Sequence, residues 1–456
     1  MDKVQILRLA QDDNMLTLLA FGMVIVFMTL IMSKRLSPLI ALILVPVAFA
    51  IGGGFWKGLG PMMLDGIRNL APTGVMLMFA ILYFGIMIDA GLFEPFVQRI
   101  VAVVHGDPMK IVVGTAVLAL FVSLDGDGST TYMITTAAML PLYRRMGIRP
   151  LILACVTMLA GGVMNILPWG GPTARAASAL SIDSGQIFVP LIPAMIAGAC
   201  WVLFVARRLG MQERLRLALP GSHDLPDTVE IEPEPEPASA DVSLRRPHLL
   251  WVNAALTTAL LAALVAALLP LPVLFMIAFA IALVINYPTL AEQKARLNAH
   301  AGNVLSVVGL IFAAGIFTGI LSGTKMVDAM ANSVVHLIPA ALGPYIAVVT
   351  AAVSVPFTFF ISNDAFYFGV LPILAKAGAA YGISAAEMGR ASVIGQPVHL
   401  LSPLVPSTYL LVGLAGVEFD EHQRFTLKWA LGSVVVLLVI ALATLVIPAV
   451  GRGLSS

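Results

Sequence analysis

Two short polar blocks interrupt stretches of the chain that are otherwise apolar: SLDGDGSTT at 123–131 and SNDA at 362–365. The first carries Asp125 and Asp127 among Ser123, Ser129, Thr130 and Thr131; the second carries Asp364 beside Ser362 and Asn363. A carboxylate held at membrane depth costs at least about 2.5–3.5 kcal/mol, so it persists where it faces a cavity, a cation or a proton. Gly126 and Gly128 free the backbone to turn and to present its carbonyl and N–H groups to a ligand. Unwound backbone set between helix ends can form ion and substrate sites inside a membrane. The alternative for each aspartate is a tip that sits in a water-filled vestibule and only turns the chain.

Two further breaks carry chemistry of a different kind. NILPWGGPTAR (165–175) and GQPVHLLSPLVPST (395–408) each place prolines inside an apolar segment. Proline removes a backbone donor and breaks a helix, and the N–H groups at the start of the next helix attract anions. Arg175 is the one arginine that does not flank an apolar run. It suits a substrate carboxylate, or else it snorkels or pairs with a tip aspartate. His399 either titrates near neutral pH or is a satisfied polar group at a helix break. Asn165, Gly170, Gly171, Thr173, Ser402, Ser407 and Thr408 complete the candidate substrate contacts in the breaks, with Ser129, Thr130 and Asn363 from the tips. Gly315 and Gly319 have the spacing of a helix-packing seam. Asp89, at a helix end, reads as structural.

These residues need elements that bring them together. Of 456 residues, 59% are hydrophobic and only 11% are charged, with a mean hydropathy of +0.96. Soluble domains carry about 25% charged residues, so the bilayer must be the solvent. The net charge of +1 implies no nucleic-acid partner. Cys155 and Cys200, in separate apolar runs, suggest neither a disulfide framework nor a zinc site. A spanning helix needs roughly 20 apolar residues. Runs near that length lie at 15–32, 37–56, 72–90, 150–166, 187–206, 247–268, 270–287, 304–324 and 425–449. The first follows two aspartates and lacks a cleavage site, so it reads as a spanning helix. In stretches 110–143 and 344–376 most arms are too short to span alone, so each is one long broken helix or a re-entrant hairpin with the polar block at its tip; the hairpin keeps Lys34, Arg35, Arg99 and Lys110 on the cytoplasmic side and is preferred. Stretches 150–178 and 384–415 read as broken helices.

Cytoplasmic loops are enriched in Lys and Arg, and the linker 207–246 holds Arg207, Arg208, Arg214, Arg216, Arg245 and Arg246. Counting helices away from it puts both termini in the periplasm. The linker's EIEPEPEPASAD is acidic and Pro-rich, as a disordered tether is. AAMLPLYRRMG (137–147) lies over FGVLPILAKAG (368–378), and NILPWGGPT over QPVHLLSPL, without a gap. The expected fold is an all-α polytopic membrane protein of two inverted-topology repeats, 1–206 and 247–456. Each has five spanning helices (one broken) and a re-entrant helical hairpin.

At these residues the sequence resembles the citrate–divalent-metal:proton symporter family, within the wider ion-transporter superfamily. The resemblance is carried by MLTLLAFGMVIVFMTLIMSKRLSPLIALILVP, SLDGDGSTTYMITTAAMLPLYRRMGI, NILPWGGPTARAAS, and ISNDAFYFGVLPIL with GQPVHLLSPLVPSTYLLVGLAGVEF. It implies proton-driven uptake of citrate complexed with Mg²⁺ or Ca²⁺ across a bacterial cytoplasmic membrane. It also implies a scaffold and a moving transport domain, elevator-type alternating access, and a homodimer. Related dicarboxylate/sodium symporters have Ser-Asn-Thr tips. Aspartates at 125, 127 and 364 favour protons over sodium here, with Asp127 and Asp364 also placed to contact the metal of the complex.

Charge arithmetic agrees. Citrate(3−) with a divalent cation carries one negative charge, and entry against an inside-negative potential costs about 2.3 kcal/mol per charge per 100 mV. Two protons would reverse the sign. The alternative is a sodium- or proton-coupled symporter of free di- or tricarboxylates. No HExxH, GxSxG or GxxxxGK[ST] is present to suggest an enzyme or an ATP-driven pump.

Overall fold

The computed structural model describes residues 3–104, 106–126, 128–218, 242–266, 268–337 and 341–453, and every regular element among them is helical. The first half runs α1 (Lys3–Met32), α2 (Pro38–Gly52), α3 (Leu59–Asp89), α4 (Glu94–Val103), α5 (Pro108–Val122), α6 (Gly128–Arg145), α7 (Pro150–Met164), α8 (Gly171–Leu180) and α9 (Ser184–Ala218). The second half runs α10 (Leu250–Val265), α11 (Leu271–Asn286), α12 (Leu290–Gly323), α13 (Met326–Leu337), α14 (Ile346–Phe360), a π-helical stretch Ala365–Val370, α15 (Leu371–Ala379), α16 (Ala385–Ser392), α17 (Gln396–His399), α18 (Pro406–Ala415) and α19 (Phe419–Ala443). The same order of long helix, short helix, hairpin, broken helix and closing helix recurs. Among the described residues, seven helices are long and apolar enough to cross a membrane, and shorter apolar helices accompany them.

Local sequence sets many of the starts. Ser37 accepts from the Ile40 N–H ahead of Pro38, and Thr289–Glu292 and Ser384–Glu387 form reciprocal capping boxes. α3 and α12 cross most intimately, through glycines. A Cβ on Gly66 would fall 1.9 Å from the Gly315 carbonyl oxygen, and one on Gly319 would fall 2.2 Å from that of Met62. Small residues let the two backbones approach. Asp89, at the end of α3, accepts from Arg296 at 3.2 Å and lies 2.8 Å from His300 Nε2, both on α12.

Packing groups the helices across the halves. α1–α3 and α10–α12 pack mainly on one another, whereas α5–α9 pack with α14–α19.

Three features depart from the expected element boundaries. α9 continues through the first residues of the supposed linker to Ala218. Its Glu213 is fully buried and pairs with Arg149 at 2.8 Å and Arg216 at 2.7 Å, which holds this extension against the start of α7. The acidic segment 230–241 lies outside the described residues. The short helices α4 and α13 follow α3 and α12. Each mixes polar and apolar residues too evenly to read as a span; α4 lies on α5 by stacking Phe96 on Phe121, with ring centroids 3.9 Å apart.

Candidate substrate site

The first tip forms where α5 ends. Ser123–Asp125 makes a single 3₁₀ turn, and Gly126 adopts a φ of +79°, in the left-handed region that favours glycine. A Cβ on Gly126 would also meet Trp169 at 2.6 Å. Trp169 Nε1 donates to the Leu124 carbonyl at 3.0 Å and so ties this tip to the first helix break. The other faces of the indole meet Phe84 of α3 and Phe275 of α11. Thr131 Oγ1 donates to Ser123 Oγ at 3.2 Å. Asp127 lies outside the described residues.

The second tip follows α14. Ser362 Oγ accepts from the Ala365 N–H at 3.1 Å, and Asp364 leads into the π-helical stretch. Such wide turns recur at functional sites.

In the first break, α7 ends before Asn165 and α8 starts at Gly171 with Pro172 in its first turn. This start sets Arg175 one turn into α8. A Cβ on Gly171 would lie 2.7 Å from Arg175 Nη1, so glycine leaves the guanidinium its place. In the second break, α17 is a single turn and α18 begins at Pro406. His399 Nδ1 lies 2.6 Å from the Thr358 carbonyl. A carbonyl only accepts, so Nδ1 carries the proton.

Both tips and both breaks line one cavity of about 400 Å³. Across it Arg175 Nε donates to Asp364 Oδ1 at 2.6 Å, with the side chains 24% and 12% exposed. Among the described residues the terminal nitrogens of Arg175 make no hydrogen bond, so its fork is available to a second carboxylate. Asn165, Gly171, Asn363, His399 and Ser407 also line the cavity, with Ser123, Ser362 and Tyr132. Behind them Gln396, fully buried, bonds Asn165, Asn363 and Tyr367.

Several residues expected at the site do not line the cavity. Thr173 donates to the Ile166 carbonyl at 2.8 Å, Ser402 to that of Phe359 at 2.6 Å, and Thr408 to that of Leu400. Each hydroxyl satisfies a backbone acceptor beside a helix break. Gly170 packs closely, since a Cβ there would meet the Asn165 carbonyl oxygen at 2.2 Å. Ser129 and Thr130 stand half-buried in the first turn of α6, and Asp125 is buried behind the first tip. Gln396 was missed, although the internal repeat aligns it with Asn165. The two lie 231 residues apart and hydrogen-bond each other.

A citrate transporter family model matches residues 27–395, most of the chain. The chain belongs to the citrate transporter family. It is a multi-pass membrane transporter, not an enzyme. A member from Bacillus subtilis (strain 168) described as a citrate transporter is 63% identical over 94% of this chain and 98% of its own length. Another from the same organism, a Mg²⁺/citrate complex secondary transporter, is 54% identical over the same shares. Two solved transporters share the fold at low identity. YdaH of Alcanivorax borkumensis matches with a TM-score of 0.55 and 15% identity over 87% of this chain and 90% of its own. MtrF of Neisseria gonorrhoeae matches with a TM-score of 0.56 and 12% identity over 89% and 87%. The citrate transporter family's match covers both tips and the first break, and its curated members extend over the second.

Proposed function

We propose that the protein carries citrate complexed with Mg²⁺ or Ca²⁺ into the cell, in symport with protons, across a bacterial inner membrane. The names of its relatives support the cargo, and a cavity of about 400 Å³ is of the size that encloses a small ligand. The observation that carries the reading is the ion pair between Arg175 and Asp364 inside that cavity.

In this pair one positive charge balances one negative charge. Citrate entering on the terminal nitrogens of Arg175 brings a second carboxylate to the same guanidinium. A proton on Asp364 removes one of the two negative charges that compete for that guanidinium. Substrate binding and proton uptake then favour each other. Asp127, in the other tip, is the second proposed proton carrier; with both protonated the complex crosses as a net single positive charge, driven by the membrane potential. Among the described residues no three His, Cys, Asp or Glu side chains converge, and citrate is proposed to supply most of the metal's oxygens, with Asp127 and Asp364 as the tip carboxylates that carry protons or contact the metal. The α5–α9 and α14–α19 body moves as an elevator against α1–α3 and α10–α12, in a homodimer with both termini periplasmic.

The test is radiolabelled citrate uptake into proteoliposomes across a metal series, with and without a chelator and with imposed pH or sodium gradients. Uptake should need the divalent cation and follow the pH gradient. Asp364→Asn and Asp127→Asn should each lower the number of protons taken up per citrate. Unchanged coupling in both would remove the proton assignment, and full uptake in chelator would move the cargo to free citrate.

A further inference from the structure

Behind the cavity a chain of hydrogen bonds has a fixed direction. It starts at the Ser392 carbonyl, a group that only accepts. The Tyr367 hydroxyl donates to it at 3.4 Å, so that hydroxyl presents its oxygen to the next partner. Gln396 Nε2 donates to this oxygen at 2.9 Å and to Asn363 Oδ1 at 3.3 Å; the Asn363 amide can turn to suit either orientation, so the tyrosine sets the direction. The amide of Gln396 is thereby oriented, and its Oε1 turns the other way. There it accepts from Asn165 Nδ2 and from Asn363 Nδ2, both at 3.4 Å. Ser392, Tyr367 and Gln396 are each fully buried, so no solvent competes for the roles. Donor and acceptor atoms of an amide are not interchangeable once one partner is fixed.

The consequence falls on Asn165. It lines the cavity, and its NH₂ faces Gln396. We propose that the relay Ser392–Tyr367–Gln396 turns the Asn165 carbonyl oxygen into the cavity as a neutral oxygen ligand for the divalent cation of the transported complex. This rests on the metal–citrate reading. Gln396 and Tyr367 are positioning residues: neither lines the cavity, and both act through Asn165. The relay also gives the amide pair across the repeat axis a reason. Had Gln396 the opposite orientation, Asn165 would offer an NH₂ to the cation, which repels it. A neutral amide oxygen suits hard cations such as Mg²⁺ and Ca²⁺ and adds no charge to the carrier.

Two variants test this. Tyr367→Phe keeps the ring and removes the hydroxyl that fixes Gln396, whereas Asn165→Leu keeps the volume and removes the oxygen itself. Citrate uptake by purified, reconstituted protein is measured with Mg²⁺, Ca²⁺, Mn²⁺ and Zn²⁺ at saturating metal, to give KM and maximal rate for each. Monodispersity in detergent serves as the folding check. Loss of one ligand oxygen should raise KM for the hard-cation complexes by about tenfold and shift the order of metal preference in the same direction in both variants. A uniform change across all metals, or an unchanged order in either variant, would overturn the relay. Wild-type uptake that is equal with and without chelator would instead overturn the metal–citrate reading, and the two failures are told apart by the wild-type arm alone.

Discussion

Among the described residues Arg175 is held at Nε and makes no hydrogen bond at its two terminal nitrogens, and that division makes its chemistry sensitive to side-chain type. Lysine keeps the charge but offers a point donor where arginine offers a planar fork. In Arg175→Lys the ammonium can satisfy Asp364 or the substrate carboxylate well, not both. KM for citrate should therefore rise at least about tenfold, with maximal rate less affected, as measured by initial uptake rates in proteoliposomes. Arg175 was legible in the sequence because it flanks no apolar run, and Asp364 because a carboxylate inside one demands a reason. The hydroxyls of Thr173, Ser402 and Thr408 lie off the cavity for a physical cause. A proline break leaves carbonyl groups without their helical donors, and the nearest hydroxyl caps them before it reaches a ligand. Gln396 carried one sequence signal, its alignment with Asn165 in the internal repeat; its role depends on partners that only the fold brings together.

At the scale of elements, the polar blocks marked where the two helix pairs turn, but their first arms, Pro108–Asp125 and Gly343–Phe360, are each 18 residues and apolar enough to cross, longer than the sequence suggested. What the sequence did not disclose is how the first tip is fastened. Gly126 combines a left-handed backbone with contact to Trp169. Gly126→Ala adds about 1–2 kcal/mol for the left-handed conformation and pushes a methyl group into the indole. The indole then loses its bond to the Leu124 carbonyl, and the tip parts from the first break. Uptake should fall severalfold while the protein still folds, which uptake assays paired with thermal unfolding in detergent would show. Gly66→Ala tests the other seam. Its methyl group has only the Gly315 carbonyl and the Gly319 Cα to meet, so α3 and α12 must separate. Overpacking of this kind costs about 1–3 kcal/mol, and the unfolding temperature should drop more than for Gly126→Ala. The GxxxG spacing on α12 announced this seam, but its partner glycine on α3 stands alone in sequence and could not be assigned.

The whole molecule regroups its halves. Sequence order shows two repeats in tandem, yet α1–α3 pack with α10–α12, and α5–α9 with α14–α19. Apolar periodicity cannot reveal that exchange, because a helix surrounded by lipid and a helix surrounded by other helices carry similar residues. Between the two bodies lies a second cavity of about 330 Å³, bounded by the end of α8, α12, α13 and α15. Ser181 lines it from the α8 side and Ser322 from α12, and both are exposed. If one body slides along the other, these residues must part during each cycle. Cysteines at both positions, with Cys155 and Cys200 replaced, would then be joined by a short bifunctional thiol reagent. Cross-linked protein should lose citrate uptake while it still binds substrate, and a reducible linker should restore transport on reduction. Each single-cysteine protein treated in the same way should transport normally. Full uptake by the cross-linked double variant would mean that the two bodies do not move past each other at this boundary, and the elevator motion would have to give way to local opening of the hairpin tips.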